Sequence, residues 1–197
     1  MTTEMLVALL IGYLLGSIPF GLLVTRIAGK GDVRKFGSGN IGATNVLRTG
    51  GKALAALTLV LDVLKGAASV WVAQALMAES PVVGQAAAAG ALIGHLYPVW
   101  LKFQGGKGVA TLFGALIALW PAAALVYAIV WLAVLLVVRV SSVAGIAAVI
   151  SAPIAAVAMG VDRLFPLLLG FALLIVWKHR SNIARLRSGA EPRIKPE

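Results

Sequence analysis

The sequence predicts an all-α, polytopic integral membrane protein with seven transmembrane helices, its N-terminus outside and its C-terminus cytoplasmic. Three observations carry the prediction. Hydrophobic residues are 60% of the 197, and charged residues only 12%. A soluble domain carries about 25% charged residues. The apolar stretches are long enough for helices across a ~30 Å hydrocarbon core and too long for barrel strands. The third observation is the distribution of the 17 Lys and Arg, which falls almost wholly on one face once seven spans are drawn.

Composition also excludes chemistry. There is no cysteine, so disulfides, thiolate nucleophiles and Cys-ligated metals are absent. Two histidines and seven acidic residues supply a metal site poorly, and neither metal nor cofactor is expected. The net charge of +10 is read as topology and phosphate recognition rather than nucleic-acid binding.

The first span is residues 6–27. No positive segment precedes it, and the apolar run is too long for the core of a cleaved signal peptide. Gly12, Gly16, Ser17 and Gly21 give it a face of small residues suited to close helix packing, and Pro19 is expected to bend it. Arg26, Lys30, Arg34 and Lys35 follow. They lead into Gly37-Ser38-Gly39-Asn40-Ile41-Gly42-Ala43-Thr44-Asn45-Val46-Leu47-Arg48. Glycines here admit positive φ and let backbone N–H groups form an anion-binding nest. Ser38, Asn40, Thr44 and Asn45 add neutral hydrogen-bonding groups, and Arg48 a fork that fits phosphate. A plain polar turn facing water is the simpler reading. A second loop of similar design about sixty residues on favours a built site.

Residues 53–78 are the second span. Asp62 and Lys65, at i and i+3, share a helix face and can pair. They read equally as an ion pair holding the bundle or as support for the glycine loop. Glu79-Ser80-Pro81 is a tight turn. The third span, 82–101, opens on small residues and carries His95, which as a lone histidine on an apolar helix reads first as a satisfied core residue, with contact to substrate as the alternative. Then comes Lys102-Phe103-Gln104-Gly105-Gly106-Lys107-Gly108-Val109-Ala110-Thr111. Glycines, a lysine and the start of a helix are the parts of a phosphate cradle. The spacing is not that of a Walker A loop, so ATP hydrolysis is not indicated.

Residues 109–138 form one apolar run of about thirty residues, ~45 Å as a straight helix and too long for one crossing. Trp120-Pro121 divides it, and Lys107 and Arg139 flank it, so two short spans are expected. Residues 143–161 and 164–177 complete the seven, with Asp162-Arg163 turning between them. Of the 17 cations only Arg163 then lies in an opposite loop, and Lys65 lies within a span. Both glycine loops, the Arg139-Val140-Ser141-Ser142 turn and the tail share the cytoplasmic face. That topology predicts a cluster of Ser38, Asn40, Asn45, Arg48, Lys107, Ser141, Ser142, His179, Arg180, Asn182 and Arg185. Arg187, Arg193 and Lys195 read as a basic segment on anionic lipid. His179 and Asn182, three apart, point the same way on a helix.

Residues 37–48, 104–111 and 179–186 resemble the three motifs of the bacterial acyl-phosphate:glycerol-3-phosphate acyltransferase family, PlsY. The resemblance covers essentially the whole chain as one domain, 1–197. It implies seven membrane helices in a bacterial inner membrane and transfer of an acyl group from acyl-phosphate to glycerol 3-phosphate, giving lysophosphatidic acid. It implies functional roles for Ser38 and Arg48, a glycerol-phosphate loop at Gly105, Gly106, Lys107 and Gly108, and third-motif roles for His179, Asn182 and the trailing Glu191. Lys107 is expected to serve catalysis as well as binding; Asn40, Asn45, Ser141 and Ser142 are expected at the substrate. A soluble enzyme that forms acyl-phosphate is the implied partner, beside membrane lipid. An acyl-phosphate is already activated, so positioning and preorganised donors suffice without a covalent nucleophile. His179 is a candidate base for the glycerol hydroxyl, and a substrate phosphate oxygen is the rival acceptor. A small-anion transporter and a basic membrane scaffold are the competing classes of function.

Overall fold

The structure is a computed structural model that describes residues 2–77 and 80–194. Glu79 of the expected turn and Lys195 of the tail lie outside the described residues. Helices and short 3-10 turns make up the regular structure, with no strand among the described residues. They form two compact units, Met1–Leu119 and Trp120–Glu197.

The first unit holds α1 (Thr3–Gly16), α2 (Phe20–Ile27), α3 (Ala43–Gly50), α4 (Lys52–Met77), α5 (Pro81–Leu96) and α6 (Val109–Leu119). α1 packs on α5 and α4, and α4 also on α3 and α6. The α1–α5 contact is made backbone to backbone. A Cβ on Gly12 or Gly16 would strike the main chain of Ala87 or Ala91, and one on Gly90 would strike that of Leu9. Gly66 and Gly114 bring α4 and α6 equally close, and Gly21 of α2 rests on the Ile41 carbonyl. Small residues thus set helix separation, as the first-span pattern leads one to expect.

Pro19 does break the first span. α1 ends at Gly16 and α2 begins after Pro19. Proline removes a helix donor, and in a membrane the carbonyls it frees need partners from neighbouring helices. They have them. Trp100 Nε1 donates to the Ser17 carbonyl at 2.7 Å, and Lys65 Nζ donates to the Ile18 carbonyl at 2.8 Å. Lys65 also pairs with Asp62 at 2.8 Å, both side chains buried. The expected third span is α5 followed, after Tyr97-Pro98, by a 3-10 turn at Val99–Leu101.

The second unit holds α7 (Pro121–Val138), α8 (Ser141–Ala158), α9 (Phe165–Lys178) and α10 (Arg180–Arg187), with α8 packed on α7 and α9. The apolar run 109–138 is therefore two helices, and proline sits at the first turn of α7, where its missing N–H costs nothing. Arg139, at φ +58°, closes α7 in the left-handed conformation. A 3-10 turn at Asp162–Leu164 replaces the simple turn expected there. The axis bends by 56° between Asp162–Lys178 and Arg180–Arg187, where the apolar sequence gives way to a polar one. His179 stands at that bend.

Among the described residues five helical segments are long and apolar enough to cross a membrane: Thr3–Ile27, Lys52–Met77, Pro81–Leu101, Pro121–Val138 and Ser141–Ala158. The bent pair makes a sixth if counted as one span. α6, with 11 residues, reaches only ~16 Å.

Candidate active site

The first glycine loop is built around one side chain. Asn45, in the first turn of α3 and 2% exposed, turns its amide into the loop. Its Nδ2 donates to the carbonyls of Val33 at 2.9 Å, Phe36 at 3.1 Å and Asn40 at 2.8 Å. Its Oδ1 accepts from the Ser38 N–H at 2.9 Å. Three carbonyls at Nδ2 fix which end of the amide is which. Gly37 and Gly39 take φ of +57° and +68°, which a side chain would resist. The Gly39 N–H donates to Phe36, and the Gly42 N–H to Asn40 Oδ1 at 2.9 Å. The expected outward nest of amides is thus corrected at Ser38, Gly39 and Gly42, whose N–H groups shape the loop. Asn45 shapes it too. The Ser38 and Arg48 side chains are exposed, and Arg48 Cδ lies 3.9 Å from where a Cβ on Gly37 would stand.

Upstream, Asp32 was not singled out by sequence reasoning, though it is the one acidic residue between Glu4 and Asp62. It binds Arg34 at 2.6 Å and Arg26 at 3.1 Å. The Arg34 hydrogen bond, ahead of Arg26, holds its carboxyl well below the usual carboxylate range. Two of the cations preceding the loop are therefore held by one carboxylate, which offsets one of their two charges.

The second loop folds back on the end of α5. Lys102 and Phe103 both take left-handed φ, +51° and +61°, uncommon for residues with side chains and strained for a bulky one. The N–H groups of Gln104, Gly105 and Gly106 donate to Leu101, Leu96 and His95. The Gly105 and Gly106 amides therefore cap α5 rather than face a ligand, again a correction: helix-end carbonyls, which need donors, take them first. The His95 ring lies against Gly106, where any Cβ would overlap it. Gly108, at φ +87°, then opens α6, and Lys107 between them is half-buried.

In the second unit the organising group is Glu191. Its Oε1 accepts from Asn182 Nδ2 at 2.5 Å and from Ser142 Oγ at 2.7 Å, and its Oε2 accepts from Arg185 Nε at 2.8 Å. Burial raises the carboxyl's affinity for protons, but the hydrogen bonds from Asn182, Ser142 and Arg185 outweigh it and hold the group below its ordinary value. With Nδ2 on Glu191, Asn182 Oδ1 is a buried acceptor that no described residue meets. His179 Nδ1 lies 2.8 Å from the Ile175 carbonyl. A carbonyl only accepts, so Nδ1 carries the proton and the neutral ring has its lone pair on Nε2. His179 and Asn182 are both buried. Ser142 is buried against Glu191, and its neighbour Ser141 is half-buried at the start of α8.

Two arrangements escaped sequence reasoning: the bracing of the Pro19 break by Lys65 and Trp100, and the His95–Gly106 contact. Both join residues far apart in the chain and leave no local spacing to read.

The family model described as glycerol-3-phosphate acyltransferase matches residues 6–189. A glycerol-3-phosphate acyltransferase of Erythrobacter litoralis is 55% identical over 95% of this chain and 94% of its own. Another from Mesorhizobium japonicum is 53% identical over 98% of both. Among solved structures, PlsY, an integral membrane glycerol 3-phosphate acyltransferase, matches in its glycerol 3-phosphate form with a TM-score of 0.89 and 39% identity, over 97% of this chain and 96% of that one. Its lysophosphatidic acid form matches with a TM-score of 0.86.

Proposed function

Because the chain belongs to the glycerol-3-phosphate acyltransferase family, we propose that it transfers a fatty acyl group from acyl-phosphate to glycerol 3-phosphate, releasing lysophosphatidic acid and phosphate. One observation carries the reading. A 39%-identical structure that covers 97% of this chain is described in forms with glycerol 3-phosphate and with lysophosphatidic acid. The donor is inferred from the resemblance of the three polar segments to PlsY. No nucleophile need be acylated when the donor is a mixed anhydride. The glycerol oxygen attacks the acyl carbon, the acyl–phosphate bond breaks, and phosphate leaves with its electron pair.

In this reading Ser38, Asn40 and Arg48 engage substrate on the first loop, which Asn45 shapes. Gly105, Gly106, Lys107 and Gly108 form the glycerol-phosphate loop, with Lys107 as its cation. His179 and Asn182 position substrate, supported by Ser141, Ser142 and Glu191. The hydroxyl proton goes to His179 Nε2 or to a substrate phosphate oxygen. The chain acts as one acyltransferase domain with seven crossings, its N-terminus outside, in the bacterial inner membrane with cytoplasmic chemistry. A soluble acyl-phosphate-forming enzyme supplies the donor.

The test is purified protein given palmitoyl-phosphate and glycerol 3-phosphate, with phosphate and lysophosphatidic acid followed together and acyl-CoA as a control donor. Product with acyl-phosphate as donor is expected, and Lys107→Ala should lower it ~100-fold or more, the cost of a misplaced acceptor once the cation that holds its phosphate is gone. Product from acyl-CoA alone would overturn the donor assignment. No turnover of either donor would return the transporter and scaffold readings.

A further inference from the structure

A buried line of polar groups in the first unit leads from the broken first span to the second glycine loop. It begins at the Ile18 carbonyl, which the Pro19 break frees and Lys65 Nζ holds at 2.8 Å. Lys65 pairs with Asp62 Oδ1 at 2.8 Å, and its ammonium stands 5.7 Å from the centre of the Phe20 ring. The same Asp62 oxygen lies 3.8 Å from His95 Nδ1, beyond hydrogen-bond length but close enough for the carboxylate's charge to orient the ring. The opposite edge of the His95 ring lies where a Cβ on Gly106 would stand, so only glycine lets the ring press on the loop backbone. The backbone carbonyl of His95 accepts from the Gly106 N–H at 3.0 Å. One residue therefore grips the loop by its main chain and by its ring.

The broken span asks for a donor such as Lys65 at the Ile18 carbonyl, but it does not ask for a carboxylate that faces His95. Replacing a buried ion pair by well-packed apolar residues is often neutral or stabilising. A buried charge pair aimed at a histidine that touches a functional loop is better explained by what it positions. We infer that Asp62, Lys65 and His95 are positioning residues that fix the second glycine loop, and with it Lys107, for the phosphate of the acceptor substrate. Asp62 sets the ring of His95, Lys65 sets Asp62, and the ring sets Gly106. The inference rests on the reading of residues 105–108 as the glycerol-phosphate loop.

The test has two arms, one independent of activity. In the first, deuterium uptake is followed in wild type, His95→Gln and Asp62→Asn. Faster uptake is expected in peptides covering 104–108, with uptake across 37–42 unchanged. Unchanged uptake in 104–108 overturns the inference, whatever the enzyme does. The second arm is a kinetic cycle of His95→Ala, Gly106→Ala and the double variant. Each single change should raise KM for glycerol 3-phosphate ~10-fold or more, while KM for acyl-phosphate moves less than about twofold, because loss of positioning at one substrate acts on that substrate. Gly106→Ala should cost several-fold less when the ring it strikes is already gone. Costs that multiply, or a fall in kcat with both KM values unchanged, overturn the inference. Should His95→Ala not yield folded protein, His95→Gln replaces it, read by the same KM split. If wild type turns over no acyl-phosphate, the functional reading fails, and the exchange arm still decides whether the network holds the loop.

Discussion

At the scale of single residues, direction matters more than identity. Asn45 and Asn182 are both asparagines in polar segments, but one directs its amide wholly into its own loop. The other spends only its nitrogen, on Glu191, and keeps its oxygen. Asn45→Asp is the sharp test. It preserves shape and replaces a donor by a carboxylate oxygen facing three carbonyls. The expected outcome is a loss of ~3 kcal/mol or more, larger than for Asn45→Ala, as a buried acceptor is forced against acceptors. Thermal unfolding in detergent measures it, and a variant as stable as wild type would refute this role for Asn45. The sequence names such donors without showing where they point. That is why it offers Ser38, Arg48, His179 and Asn182 as candidates, while the inward use of Asn45 and of the Gly105 and Gly106 amides could not be read from it.

At the scale of elements, legibility was higher. Apolar runs, proline and small-residue faces are local properties, and they located the breaks at Pro19 and Trp120 and the close face of α1. Helix ends shifted where backbone satisfaction decided them, as at the 3-10 turns of Val99–Leu101 and Asp162–Leu164. The α1–α5 contact supports a contrast between two substitutions. Gly90→Ala adds one methyl group against the Leu9 main chain and should cost about 3 kcal/mol, since backbone cannot yield as a side chain does. Leu10→Ala removes far more but from a side chain 56% exposed at the lipid face, and should change stability by less than ~0.5 kcal/mol. Equal unfolding midpoints for the two variants would contradict the packing described.

At the scale of the whole molecule, charge and length argue for seven crossings, while length and composition of the helices count five or six among the described residues. The two counts differ over α6, too short to cross alone, and over the bent pair at His179. The cysteine-free chain makes the question accessible. With the proposed topology, Arg163→Cys should react with an impermeant maleimide on intact cells, and Ser188→Cys only after permeabilisation. Labelling of Ser188→Cys but not Arg163→Cys from outside would reverse the assignment of faces, and labelling of both would refute the crossing between them. The glycine contacts of the first unit bear on heredity as well. In most proteins large core side chains resist replacement and the surface drifts. Here the positions that forbid change are among the smallest, because each is flanked by a neighbour's main chain, while bulky leucines at the lipid boundary are interchangeable. Lineages carrying this fold should therefore diverge through their largest residues and hold still at their least conspicuous ones.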